Sequence, residues 1–172
     1  EGRVEDNVVR GRFAPSPTGR MHLGNVFAAL LSWLSAKSQG GKWLLRIEDI
    51  DPLRSHREYA ELIMDDLRWL GLEWDEGPFW QSERGDIYEH YLKVLADKGM
   101  TYPCYCTRAD ILATQAPHES DGRVVYKGTC RNLPPDSRRG PAAIRMRVPE
   151  EGEGIVTFTD GHYGPQTVDL TS

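Results

Sequence analysis

The sequence predicts an α/β domain built on a parallel sheet, with a small cysteine-bearing insertion ahead of its last strands. Three observations predict it. From Asn7 to Lys98, apolar segments of period two and of period near 3.6 follow one another as strand, helix, strand, helix, helix. That order favours parallel pairing through right-handed crossovers. From Met100 to about Pro141, cysteines, prolines, glycines and short polar runs replace the periodicity, and AAIRMRVP and IVTFTD then alternate like strands again.

Asn7 to Ala14 reads as a short strand that enters RFAPSPTGRMHLGN, residues 12–25. Ala14 and Ser16 each precede a proline, which biases both toward extended backbone, and Thr18-Gly19 reads as a turn. After Gly24-Asn25 comes VFAALLSWL, apolar almost throughout, a helix covered on most sides that runs to about Ser38. Gly40-Gly41 stops it. KWLLRIED is a second strand, with Trp43, Leu45 and Ile47 on one face and Leu44, Arg46 and Glu48 on the other. Asp51-Pro52 ends that strand, and Ser55-His56-Arg57-Glu58 has the spacing of a capping box. The helix it opens places Tyr59, Leu62, Ile63, Leu67 and Leu70 on one stripe and stops at Gly71. A further helix spans roughly Asp86 to Lys98, with Ile87, Tyr91, Leu92 and Leu95 inward and Gly99 as its stop. The chain accordingly divides into 1–100, 101–140 and 141–172.

With 172 residues, 39% apolar and 27% charged, this is the composition of one globular domain carrying at most a small insertion. No apolar run reaches the roughly 18 residues of a membrane span. Glu1 to Arg10 is too polar for a signal peptide, so the expectation is a cytoplasmic protein without a membrane partner. Three cysteines, an odd count, argue against a complete set of internal disulfides. The net charge of −5 excludes the chain as a whole from attracting nucleic acid by its field. Such contacts would come from Arg138-Arg139 or Arg145-Met146-Arg147, although the plainer reading of each pair is solvated arginines on a loop or strand.

In open α/β sheets, ligands sit outside the carboxyl ends of the strands. Here that end carries Arg12 to Ser16 after the first strand and Glu48, Asp49 and Asp51 after the second. A guanidinium suits a carboxylate in fork geometry, Glu48 suits an ammonium, and His22 beside a helix N-terminus suits phosphates. The site fits a zwitterion next to a nucleotide; a rigid connection that binds nothing is the plainer reading of the same loop. In the insertion, Cys104-x-Cys106 with Cys130 gives three thiolates that one more donor completes to a tetrahedral metal site. Three buried thiols packing as small apolar groups is the other reading. His56, His90 and His162 read as surface or capping residues.

RFAPSPTGRMHLGN resembles the signature loop of class I aminoacyl-tRNA synthetases in its glutamate-specific form, and LRIEDID and WDEGPFWQSER extend the likeness from Gly11 onward. The family's HIGH element is His22-Leu23-Gly24-Asn25 here. Asn25 replaces the final histidine and can donate a hydrogen bond but carries no charge. The resemblance implies a Rossmann-like parallel sheet whose first half is 1–100, a zinc-binding insertion at 101–140, and strands returning to the catalytic domain at 141–172. It implies glutamate, ATP with Mg²⁺ and tRNA as partners of a monomer, with structural Zn²⁺. Arg12, Phe13, Ala14, Pro15, Ser16 and Glu48 would hold glutamate; His22, Gly24 and Asn25 would hold ATP, with His22 and Asn25 acting at its phosphates.

IEDIDPLR resembles the short branch of the family, which loads glutamate onto the queuosine base of tRNA(Asp), whereas the full-length branch that charges tRNA(Glu) usually reads EDTD there. Cys104, Cys106, Tyr126 and Cys130 match that short branch's ligand set, with His118 a rival to Tyr126. The family's lysine-rich KMSKS loop has no counterpart among Lys37, Lys42, Lys93, Lys98 and Lys127. The expectation is an N-terminal portion of a longer enzyme that does not complete adenylate formation alone. A non-catalytic module that kept the fold for binding is the alternative.

Overall fold

The computed structural model describes residues 8–113, 126–134, 137, 140–149 and 153–170. It divides into two compact units, one up to Glu89 and one from His90.

In the first unit, β1 (Arg10–Phe13), β2 (Lys42–Ile47) and β3 (Glu76–Trp80) form a parallel sheet in that order. Helix α1 (Leu23–Lys37) crosses from β1 to β2 and α2 (Arg57–Trp69) from β2 to β3. The alternation read in β2 is the observed one: Trp43, Leu45 and Ile47 are fully buried. They pack with Phe13, Ala29, Ala36, Ala60, Ile63, Met64, Leu67, Leu72 and Trp80, each large apolar side chain contributing about 1.5–3 kcal/mol on burial. The Trp43 indole N–H donates to Ser32 Oγ at 2.8 Å, which satisfies its polar edge inside the core. Gly11 lets β1 lie against α1, because a Cβ there would sit 2.9 Å from both Ala36 Cβ and the Ser32 carbonyl oxygen.

Several expectations need correction. The first strand begins at Arg10 among the described residues rather than at Asn7, which lies outside them. The capping box at Ser55–Glu58 does not form: His56 is the N-cap of α2 without a side-chain cap bond, and Ser55 Oγ is buried without a partner. With the start moved, α2 buries Ala60, Ile63, Met64 and Leu67, while Tyr59 and Leu62 are half-buried and Leu70 is exposed. In α3 (Gly85–Asp97), Ile87, Tyr91 and Leu92 are exposed rather than inward. Gly40, Gly71 and Gly99 follow the helices in the left-handed region, as expected of helix stops.

The second unit contains β4 (Thr101–Cys104) paired antiparallel with β5 (Ala143–Met146), a short helix α4 (Arg108–Ala113), and the hairpin β6 (Ile155–Asp160) and β7 (Gly164–Asp169). Strands β3, β4 and β7 are not among those read from the sequence. Each contains a proline, and each lies at the edge of its sheet, where a missing N–H is tolerated. No helix among the described residues is long and apolar enough to cross a membrane.

Candidate functional site

The first cluster gathers where β1 and β2 end. Parallel strands joined by a helix put that helix's N-terminus at the strands' carboxyl end, so α1 opens where β1 stops. His22 is its N-cap: His22 Nδ1 accepts from the Gly24 N–H at 3.1 Å, and Asn25 Oδ1 accepts from the His22 N–H at 3.2 Å. Because Nδ1 accepts, Nε2 carries the hydrogen of the neutral ring and remains the donor. The Asn25 amide nitrogen is likewise left as a donor. Two uncharged donors thus stand at the positive end of a helix whose first turn holds no acidic residue.

The proline loop is tied to the end of β2. The Glu48 N–H donates to the Pro15 carbonyl at 2.9 Å and the His56 N–H to the Pro17 carbonyl at 3.0 Å. Pro15 and Pro17 are buried, and Phe13 stacks on Trp43 with centroids 6.1 Å apart. Ala14 is half-buried and Ser16 exposed, so Phe13 and Pro15 support the loop and Ser16 faces solvent. Arg12 is exposed and pairs in register with Leu44, placing it on the sheet face opposite Phe13 and Leu45, with Arg46 two residues further along β2. Glu48 therefore joins the loop through its backbone while its half-buried carboxylate accepts from Arg46 Nε at 3.4 Å.

Sequence reasoning missed the groups that hold Glu48. Arg46 donates from its other end to the Tyr88 hydroxyl at 2.6 Å, although the period-two reading had placed Arg46 on the face of Glu48. Asp49 accepts from the Ser82 N–H at 2.9 Å and its hydroxyl at 2.7 Å, joining LRIEDID to QSER. Burial pushes the Asp49 carboxyl up, but the two Ser82 bonds and nearby Arg57 outweigh it and leave it below the usual aspartate value. Arg57 in turn lies 3.8 Å from the Trp80 ring centre.

The second cluster belongs to the second unit. Cys104, Cys106 and Cys130 have their sulfurs within 4.8 Å of one another. Cys106 Sγ is 3.6 Å from Cys130 Sγ, and the Tyr126 hydroxyl is 3.2 Å from Cys104 Sγ and 4.0 Å from Cys106 Sγ. A tetrahedral zinc site with Zn–S near 2.3 Å has ligand–ligand edges of about 3.8 Å; the cluster brackets that value and fits the ion. Burial pushes Cys104 up, but its contact with the Tyr126 hydroxyl and the nearby Arg145 guanidinium more than offset it, bringing the thiol to about 6. Burial, then Cys104, raises Tyr126. His118 and Arg138-Arg139 lie outside the described residues. The Arg145 and Arg147 guanidinium carbons lie 4.0 Å and 5.3 Å from the Tyr126 and Tyr102 ring centres.

Residues 8–169 match the family model described as tRNA synthetases class I (E and Q), catalytic domain. The chain is 51% identical to a glutamyl-Q tRNA(Asp) synthetase of Nitratidesulfovibrio vulgaris, over 92% of this chain and 53% of that protein. It is 44% identical to a glutamate–tRNA ligase of Pelobacter propionicus over 88% of this chain and 32% of the relative. The crystal structure of a glutamate–tRNA synthetase from Elizabethkingia anophelis superimposes with a TM-score of 0.79 at 33% identity, covering 95% of this chain and 37% of that one. The chain thus spans about half the length of the first relative and about a third of the second.

Proposed function

The chain belongs to the class I (E and Q) tRNA synthetase catalytic-domain family, and from that premise we propose that it forms the glutamate- and ATP-binding part of a ligase that activates glutamate and transfers it to the queuosine base of tRNA(Asp). The observation that carries this reading is the Glu48 N–H to Pro15 carbonyl bond of 2.9 Å. It fixes an acidic side chain beside the loop that leads from Arg12 into the His22-capped helix.

In this reading Arg12 pairs with a carboxylate of the amino acid and Glu48 receives its ammonium, with Arg46 and Tyr88 holding the Glu48 carboxylate in place. Ala14 and Ser16 form the wall against which glutamate lies, on a loop that the buried Phe13 and Pro15 hold in place. An oxygen of the glutamate α-carboxylate attacks the α-phosphorus of ATP, the bond to the bridging oxygen breaks, and pyrophosphate leaves. Charge grows on the phosphate oxygens as this happens, and the Nε2–H of His22, the amide of Asn25 and the helix N–H groups beside Gly24 are placed to meet it. Positioning supplies the rest of the acceleration. Mg²⁺ accompanying ATP would shield the phosphates, and Cys104, Cys106, Tyr126 and Cys130 would hold a zinc ion with a structural role. The adenylate's acyl group then passes to RNA.

Calorimetry on the 172-residue chain tests the assignment directly. Glu48→Ala is expected to abolish glutamate binding and leave ATP binding intact, and His22→Ala to do the reverse; a Glu48→Ala chain with unchanged glutamate affinity refutes it. In the full-length protein, Glu48→Ala is expected to remove glutamate-dependent pyrophosphate exchange. The likeness to glutamate–tRNA ligases favours a second reading, charging of tRNA(Glu). Labelled glutamate offered with queuosine-bearing tRNA(Asp), the same tRNA without queuosine, and tRNA(Glu) separates them: only the first is expected to be labelled.

A further inference from the structure

Arg145 occupies a place that the zinc cluster's four ligands do not explain. It stands opposite Tyr102 in the β4–β5 register, two residues along the partner strand from Cys104. Its guanidinium carbon lies 4.0 Å from the centre of the ring of Tyr126, whose hydroxyl is 3.2 Å from Cys104 Sγ. Its Nε is buried without a partner. Nearby Arg131 is engaged elsewhere, donating to the Val148 carbonyl at 2.6 Å.

Three thiolates and a phenolate around a divalent cation leave surplus negative charge, and buried surplus charge is costly without a compensating cation. Ligand oxygens and sulfurs also need outer groups to orient them. A planar guanidinium answers both needs, because it can stack on a ring and donate at its edge at the same time, which an ammonium does less well. We propose that Arg145 is a positioning residue for the metal centre: stacked on the ring of Tyr126, whose hydroxyl reaches Cys104 Sγ, it aims the phenol oxygen at the sulfurs and offsets the charge of the loaded cluster. This rests on the metal reading of Cys104, Cys106, Tyr126 and Cys130, and goes beyond it by assigning the group that makes a tyrosine ligand workable.

The test uses the 172-residue chain, Zn²⁺ titrated against a competing chromophoric chelator, and Co²⁺ absorption as a report of ligand geometry. Arg145→Met is expected to weaken Zn²⁺ binding by about 10–100-fold and to change the Co²⁺ spectrum. Arg145→Lys keeps a charge without the planar stack; it is expected to bind severalfold more weakly than wild type, also with an altered spectrum. Arg147→Met, which removes the guanidinium over Tyr102, is expected to match wild type. Wild-type affinity and spectrum in Arg145→Lys, or an equal loss in Arg147→Met, overturns the proposal. A wild-type chain that binds no Zn²⁺ instead removes the metal reading, and the proposal with it.

Discussion

In the proposed site His22 serves two tasks with one ring. Its Nδ1 is committed to the Gly24 N–H, and this commitment leaves Nε2–H as the donor available to a phosphate oxygen. Gly24 is what allows it, since a Cβ there would lie 2.9 Å from His22 Cε1 and 3.1 Å from Nδ1. Gly24→Ala should therefore push the imidazole off its cap. The lost cap costs about 0.5–2 kcal/mol, and alanine in a helix recovers about 0.5–1 kcal/mol over glycine, so the two nearly cancel in stability. ATP binding has no such compensation and should weaken severalfold. Thermal melting and calorimetry on one preparation check both halves; an unchanged ATP affinity would show that the ring's orientation does not matter. The motif was legible at this scale and its internal bonding was not. Sequence placed His22 and Asn25 at a helix start, but which nitrogen is spent on the cap depends on backbone angles that no spacing encodes.

Elements are held in place by short polar ties between residues far apart in the chain. Asp75, just ahead of β3, accepts from Lys37 Nζ at 2.6 Å and 2.7 Å and from the Trp43 N–H at 2.6 Å, binding the end of α1 and the start of β2 together. Those bonds, Lys37 first, hold its carboxyl below the ordinary aspartate value of 3.8. A carboxyl lowered on folding stabilises the protein above the unfolded value, and that stability is lost as pH falls through the folded value. Asp75→Asn should cost about 1–2 kcal/mol at neutral pH, allowing for partial solvent exposure, and the gap to wild type should narrow as acid takes the pH below 3.8 and through the folded value. Urea melts at neutral pH and in acid measure it; a gap that persists in acid would contradict the charge-based account. Strand β2 was legible because strict alternation matches a sheet with one dry face. The α2 stripe was misread because the helix was taken to start one residue early, at an unformed capping box, and because Leu62 and Leu70 outrank Ala60 and Met64 on hydrophobicity alone. Proline hid β3, β4 and β7.

On the scale of the whole chain, two buried clusters divide the work. One gathers around Trp43, Leu45 and Ile47 in the first unit; the other, among the described residues, is Tyr102, Cys104 and Cys130, with Tyr105, Cys106 and Tyr126 against them. The first is large enough to hold a sheet by apolar burial. The second is not, and the metal proposed for it would supply the stability that so few apolar contacts lack, as in small metal-binding modules. All five tryptophans, Trp33, Trp43, Trp69, Trp74 and Trp80, lie in the first unit, so their fluorescence reports that unit alone. Removing metal with a chelator should therefore leave the urea midpoint read by tryptophan fluorescence almost unmoved. Amide exchange in peptides covering β4 and β5 should accelerate strongly in the same sample, because the Tyr102–Arg145 and Cys104–Ala143 pairings depend on the cluster beside them. The order of elements in the first unit followed from hydrophobic period, whereas the second unit's pairing did not, since a handful of thiols and tyrosines replace the repeating apolar pattern that a sequence displays. If both probes report a single transition that shifts as one when metal is withdrawn, the two clusters are not separate sources of stability and the ion supports the whole chain.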